Sequence, residues 1–260
     1  MAPTGGMTIP CHGSNTRARV GEVEGRLGGR DVLSRWESRA VEDRITPVIY
    51  LEMTDRPAQR YADERVPQVL SLPGVHRATW WANCMPFRTD LPRTLPEFAV
   101  LGIYEADARF DPSAEGASSP DDITGLCFDQ YPRPGQGTIS DRPTLGLELV
   151  LISPRTSSED QALRDWADFV HIRDIGAASP DHFTMITPYE NRAQGSPRYM
   201  HFYELDTEDP EPAFQAMTPT TLARVGSYGT HPVREWRGHQ ALVIDYVNTF
   251  RRLGARVRPD

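Results

Sequence analysis

The sequence predicts an α+β chain in which one small β-α-β-β-α-β unit is used twice. Two observations carry that prediction. Ile103-Tyr104-Glu105-Ala106-Asp107 and Phe202-Tyr203-Glu204-Leu205-Asp206 share Tyr, Glu and Asp at the same places, and each closes an alternating run that reads as a strand. The elements upstream also come in the same order: an apolar strand carrying Leu-Glu (Leu51-Glu52-Met53; Leu147-Glu148-Leu149), a helical stretch, then a strand opening near a histidine (His76; His182). A period of about 100 residues is too long for a solenoid repeat and suits two copies of a compact unit.

Residues 1–44 read as a flexible N-terminal segment with a short helix. The first 30 are rich in Gly, Thr and Arg without periodicity, whereas in 31–44 an N-capping Asp31 precedes Val32, Leu33, Trp36 and Ala40 near helical spacing. The first unit covers 45–143. Alternation marks strands at 47–53, 75–83 and 98–105, and a helix over 56–72 is stopped by Pro73-Gly74. Between 108 and 142 the pattern degrades to Pro, Gly, Ser and Asp around one short helical piece at 121–128, so this unit is expected to have lost or remodelled its second helix and last strand. The second unit, 144–260, reads as strand 145–152, helix 158–178, strands 182–187 and 198–205, helix 211–225 and strand 240–247. That is the ferredoxin-like supersecondary order.

Composition removes whole classes of chemistry. All 28 basic residues are Arg, so Schiff-base, pyridoxal-phosphate and P-loop lysine mechanisms are excluded. A net charge of -8 argues against a nucleic-acid partner, which calls for a basic face. Three cysteines (Cys11, Cys84, Cys127) without CxxC spacing support neither a disulfide framework nor a structural zinc site. No run of about 18 apolar residues and no export signal is present, so no membrane partner and a cytoplasmic location are expected. No metal site is expected either, since HxH, HxxxH and HExxH spacings are absent. Dinucleotide, nucleotide and α/β-hydrolase motifs are missing as well.

Trp166-Ala167-Asp168-Phe169-Val170-His171-Ile172-Arg173-Asp174-Ile175 resembles the W-Y-D-x-x-H-[LI]-P-D-[LI] helix of dimeric α/β-barrel proteins of the EthD-like group. Tyr61 to Pro67, followed by Pro73-Gly74-Val75, resembles the same helix and its exit, with Arg65 in place of the histidine and Arg60 in place of the tryptophan. The likeness extends over 45 to about 247. It implies two ferredoxin-like sheets facing each other, here closed within one chain, with ligands between the sheets and either a monomer or a homodimer. The superfamily holds cofactor-independent monooxygenases, polyketide cyclases, isomerases, dehydratases and haem-binding enzymes, so the fold names no reaction.

Strand alternation then sorts candidate residues. If Met200 and Phe202 face the helices, Tyr199, His201 and Tyr203 face the barrel cavity, joined by Tyr104, by His76 and Trp80, by His182, and by Glu52 and Glu148. The alternative for each tyrosine is a packed core position with only its hydroxyl bonded. On the helix, Asp168 and Asp174 bracket His171 and could orient its ring, or all three belong to a solvated charge pattern. The resulting expectation is a small-molecule enzyme without an organic cofactor, doing proton-transfer chemistry (dehydration, cyclisation, isomerisation or monooxygenation) on an aromatic or polyketide-like substrate between the two sheets. His171 or His182 serves as base, His201 and Tyr203 polarise an oxygen, and Tyr104, Trp80, His76, Glu52, Glu148 and Tyr199 bind an apolar or aromatic ligand. A haem enzyme or carrier and a non-catalytic binding protein stand as alternatives.

Overall fold

Where apolar residues recur every second position, a strand buries one side chain row on each face of a sheet. Eight such strands form this protein. The computed structural model describes residues 46–114, 117–131, 142–226 and 229–259. The N-terminal segment and its expected helix at 31–44 lie outside them. The strands are β1 (Val48–Thr54), β2 (Val75–Asn83), β3 (Val100–Ala106), β4 (Ile123–Gln130), β5 (Gly146–Pro154), β6 (Phe183–Asn191), β7 (Tyr199–Leu205) and β8 (Leu242–Val257). They close in the order β1-β3-β2-β8-β5-β7-β6-β4, every neighbouring pair antiparallel. Closure leaves no sheet edge open.

Among the described residues, four helices lie outside the barrel. The first, α1, runs through Ala58–Arg60, Tyr61–Arg65 and Val66–Leu70, its middle piece wound as a π-helix. The second, α2, runs through Ser157–Glu159, Asp160–Trp166, Ala167–Ile172 and Arg173–Ala178, and Ala167–Ile172 is again π-helical. Then come α3 (Pro210–Val225) and α4 (His231–Arg237).

Two expectations are corrected here. The 121–128 stretch is strand β4, not a helical piece: Ile123 and Cys127 pack under α1 while Leu126 and Phe128 pack in the lumen, a period of two that suits the free flank of β1. The last strand also continues ten residues past 247, because its second half pairs with β2 and completes the closure. The two half-sheets, β4-β1-β3-β2 and β8-β5-β7-β6, therefore have the same strand order. Each carries a bulge at the start of its hairpin, between Val75 and Arg77 and between Phe183 and Met185. In each, an aspartate N–H (Asp107, Asp206) bonds the carbonyl of a residue with positive φ: Gly74 at +82° and His182 at +72°.

The lumen is filled by aliphatic and aromatic side chains. Ile49, Leu51, Leu149, Leu151, Met200 and Phe202 pack there, each leucine contributing about 1.5–3 kcal/mol by burial. The face assignment drawn from alternation is thus inverted. Met200 and Phe202 point into the lumen, and Tyr199, His201 and Tyr203 point at the helices; likewise Trp81 is inward and Trp80 packs under α1.

Candidate active site

Beneath α1 the layer between sheet and helix is filled. Tyr61 and Tyr104 hydroxyls lie 2.7 Å apart and donate to Glu52 Oε2 at 2.9 and 3.2 Å, while Arg65 Nε and Nη2 donate to Glu52 Oε1 at 2.9 and 2.6 Å. Arg65 and Glu52 are both buried. Space for Tyr61 exists because residue 102 is Gly, where a Cβ would sit 1.7 Å from the Tyr61 hydroxyl.

Beneath α2 the corresponding layer is open. Ala167 begins the π segment of α2 as Tyr61 begins that of α1, and His171 stands four residues on, as Arg65 does. His201 precedes Tyr203 by two residues, as Gly102 precedes Tyr104. A large residue on the helix and a small one on the strand have changed places. The outcome is a cavity of about 210 Å3 lined by β5, β7 and β8 below and α2, α3 and α4 above, with Glu148, His171, His201 and Tyr203 on its wall. This cavity lies between one half-sheet and its helices, not between the two sheets.

Each wall residue is placed by identifiable contacts. Glu148 pairs in register with Tyr203 on one side and Thr249 on the other, so all three side chains leave the helix-facing side of the sheet. His171 Nδ1 lies 2.9 Å from the Trp236 carbonyl, which only accepts, so Nδ1 carries the hydrogen and neutral His171 keeps its Nε2 lone pair free. The ring is sandwiched between Trp166 and Trp236, at centroid distances of 5.0 and 5.4 Å. Reciprocal bonds, Trp236 Nε1 to the His171 carbonyl at 3.2 Å and Trp166 Nε1 to the Glu235 carbonyl at 2.6 Å, clamp α4 onto α2.

Near pH 7 the buried Glu148, His171, His201 and Tyr203 side chains are uncharged, while Arg237 adds a guanidinium to the wall. Burial raises the Glu148 carboxyl to about 8, against the lowering influence of Arg88. Burial and the neighbouring His171 lower His201 to about 3, and burial lowers His171 too. Burial, reinforced by Glu148, holds the Tyr203 phenol well above its ordinary value. Among the described residues, Glu148 Oε2 and His201 Nε2 are buried with no hydrogen-bond partner. An unmet buried polar atom costs about 1–3 kcal/mol, and two facing one aromatic cavity mark it as a place for a polar ligand group.

Other predicted site residues lie elsewhere. His76 and His182 are half-exposed at the hairpin ends, paired with Asp107 and Asp206 at 2.8 and 2.9 Å. Glu52 and Tyr104 belong to the filled layer under α1, and Trp80 packs beside it. Tyr199 is buried against Trp166 and Tyr131 under α2, outside the cavity wall. Asp168 accepts from the Tyr131 hydroxyl at 3.1 Å and Asp174 from Arg173, so a backbone carbonyl, not a carboxylate, orients His171. The paired Leu-Glu steps also fall out of step: Glu52 pairs with Gly102 but Glu148 with Tyr203, so Tyr50, opposite Tyr104, stands where Glu148 stands. Sequence reasoning missed Ala167, Trp236, Phe214 and Leu91, which line or frame the cavity. Of these only Trp236 and Phe214 carried a signal, as large aromatics.

No protein-family model and no curated protein matches the chain. Among solved structures it is similar to an anthrone oxidase-like protein, with a TM-score of 0.50, 10% identity, and 83% of this chain and 97% of that one covered. A protein carrying the name of a candidate monooxygenase from Fusobacterium nucleatum subsp. nucleatum ATCC 25586 gives 0.47 and 6% over 82% and 95%. A chlorite dismutase from Candidatus Nitrospira defluvii gives 0.45 and 10% over 83% and 95%. The fold is a closed eight-stranded antiparallel barrel with helices outside it, and the likeness to the anthrone oxidase-like protein is one of fold. Among the described residues no helix is long and apolar enough to cross a membrane, and no group of three or more His, Cys, Asp or Glu could hold a metal.

Proposed function

We propose that this chain is a cofactor-independent enzyme that moves a proton on a compact, flat, aromatic or polyketide-like substrate held under α2. The observation that carries this reading is the convergence of Glu148, His171 and His201 on one aromatic cavity, with polar atoms unmet by the protein. A neutral carboxyl offers a hydrogen to a carbonyl oxygen while a neutral imidazole accepts one from an adjacent C–H or O–H. His171 Nε2 takes the substrate proton, Glu148 gives its proton to the carbonyl oxygen, and the keto form becomes the enol with no net charge left in the cavity. Because burial weakens His171 as a base, the transfer depends on Glu148 neutralising the oxygen in the same step. His201 and Tyr203 orient that oxygen. The two halves are read as copies of one ferredoxin-like unit, the first with its site filled and the second with it open.

Anthrone, a flat ketone with an enolisable methylene, is a fitting first substrate, and the name of one structural neighbour points the same way. Its enolate is electron-rich, and with O2 the overall reaction gives anthraquinone and water. Exchange of the methylene hydrogens in D2O, followed by NMR, isolates the proton-transfer step. The wild type is expected to accelerate exchange, and Glu148→Gln to lower that acceleration by about 10²–10⁴-fold. Unaltered exchange in the variant would remove Glu148 from the reaction.

The pH profile follows from the same groups. Activity requires Glu148 protonated, so the alkaline limb should fall near pH 8, and Glu148→Gln should abolish that limb. Stability obeys the same linkage. Glu148 binds its proton more tightly folded than unfolded, so its contribution is full below about pH 4.5, declines as pH rises and is lost beyond about 8. His201, lowered in the fold, contributes above about 6.5, and that contribution is lost as pH falls towards 3. Chemical denaturation across pH 4 to 9 in wild type, Glu148→Gln and His201→Gln measures both slopes.

Haem fits this site poorly. His171 Nε2 has a lone pair that could ligate iron, but about 210 Å3 lies below the roughly 300–1,000 Å3 usual for drug-sized ligands and is too small for a macrocycle. Haemin titration is expected to give no stoichiometric Soret band.

A further inference from the structure

The connection between β2 and β3, residues 84–99, has no regular secondary structure, a length at which loops are commonly functional lids. It leaves the first half-sheet and crosses onto the second. Two anchors hold it there. At one, the Asn248 amide donates to the Met85 carbonyl at 2.9 Å and accepts from Arg88 Nε at 3.1 Å. The Arg88 side chain, 1% exposed, also pairs with Glu211 on α3 and lies 4.7 Å from the Phe214 ring centroid. At the other, the Thr94 and Leu95 N–H groups donate to the Asp245 carbonyl at 3.0 and 3.1 Å, and Thr94 Oγ1 donates to Asp245 Oδ1 at 2.7 Å.

Between those anchors Leu91 reaches the cavity, and it is the one wall residue contributed from outside 148–247. We propose that the 84–99 loop is a lid on this site, that Leu91 determines the size of ligand admitted, and that Arg88 is the positioning residue that latches the lid to α3 and β8. The argument rests on the cavity being the ligand site proposed above. A strap pinned at Arg88 and Thr94, with only five residues between, swings locally without disturbing the barrel. Arg88 also lowers the Glu148 carboxyl from within the latch, so closing the lid and setting the acid are coupled. Phe214, which stacks on Arg88, lines the cavity itself, so the latch and the ligand share a wall.

The test uses full-length protein and diethyl pyrocarbonate, which modifies neutral imidazoles, with the rate at each histidine read by peptide mass spectrometry. Leu91→Ala and Arg88→Gln are expected to raise the rate at His201 about tenfold or more through local opening, and Leu91→Trp to lower it. Rates at half-exposed His76 and His182 should not change. In steady-state exchange, Leu91→Trp should raise the KM for anthrone more than for the smaller enolisable ketone 2-indanone, the signature of a size filter. Arg88 is buried and its loss could unfold the chain, so the half-exposed Leu91→Ala is the safeguard, with melting curves for both. Equal His201 rates in wild type and Leu91→Ala would overturn the lid. Because these rates need no turnover, faster modification without anthrone chemistry would keep the lid and reject only the proposed reaction.

Discussion

Ala167→Tyr should abolish ligand binding to the α2 cavity, with an affinity loss of two orders of magnitude or more, about 3 kcal/mol. Tyr61, at the matching position of α1, shows where such a side chain goes: its hydroxyl comes within 1.7 Å of the place a Gly102 Cβ would take. In α2 that place belongs to His201, so the added phenol meets an imidazole. Overpacking costs about 1–3 kcal/mol, which a thermal melt would register. The second substitution His201→Gly then relieves the clash, and the double variant should recover its melting temperature but not its binding. Titration with 2-naphthol, followed by tryptophan fluorescence because Trp166 and Trp236 frame the cavity, measures binding in all three proteins. A folded Ala167→Tyr variant that binds 2-naphthol as tightly as wild type would show that ligands enter elsewhere.

The second large effect lies in the filled layer. Arg65→Met should destabilise the protein by about 3–5 kcal/mol, because it strands the Glu52 carboxylate in a site with no access to water. At roughly 2–4 °C per kcal/mol for a chain of this size, calorimetry should show a fall of about 6–20 °C. The double change Glu52→Gln with Arg65→Met removes the stranded charge and should be milder than Arg65→Met alone. This asymmetry separates a buried ion pair from ordinary packing loss, in which the second substitution would add to the first. Ligand binding under α2 should persist in both variants below their melting temperatures. A loss below about 1 kcal/mol for Arg65→Met would mean that water reaches Glu52.

Glu148 presents the opposite case on the same architecture. Glu52 has four donor contacts from three side chains, and Glu148 Oε2 has no hydrogen-bond partner among the described residues. One carboxyl is committed to holding α1 on its sheet. The other lines the open cavity under α2.

Most strands were legible in the sequence, because period-two alternation needs only neighbouring residues; β2 begins and ends where the pattern placed it. β4 was not, since Gly125 and flanking Asp residues resemble loop chemistry until β1 offers a partner. Glu148, His171, His201 and Tyr203 were named from sequence and meet at one cavity, yet His76, His182 and Trp80 were named on the same footing and do not. Alternation sorts side chains into two sets without saying which faces the lumen. Ala167 gave no signal because its contribution is the space it leaves, and Leu91 gave none because its cavity is built by residues more than 50 positions away.

The sequence by itself determined the local periods, the order of strands and helices apart from β4 and α4, and the absence of lysine chemistry, all properties carried by a residue and its near neighbours. Tertiary structure decided which face of each strand met the other half-sheet, which of two similar helix-sheet layers was filled, and which loop crossed the open one. Those outcomes depend on side-chain volumes brought together from distant parts of the chain, Tyr61 with Gly102 and Ala167 with His201, and close packing is satisfied only by the assembled whole.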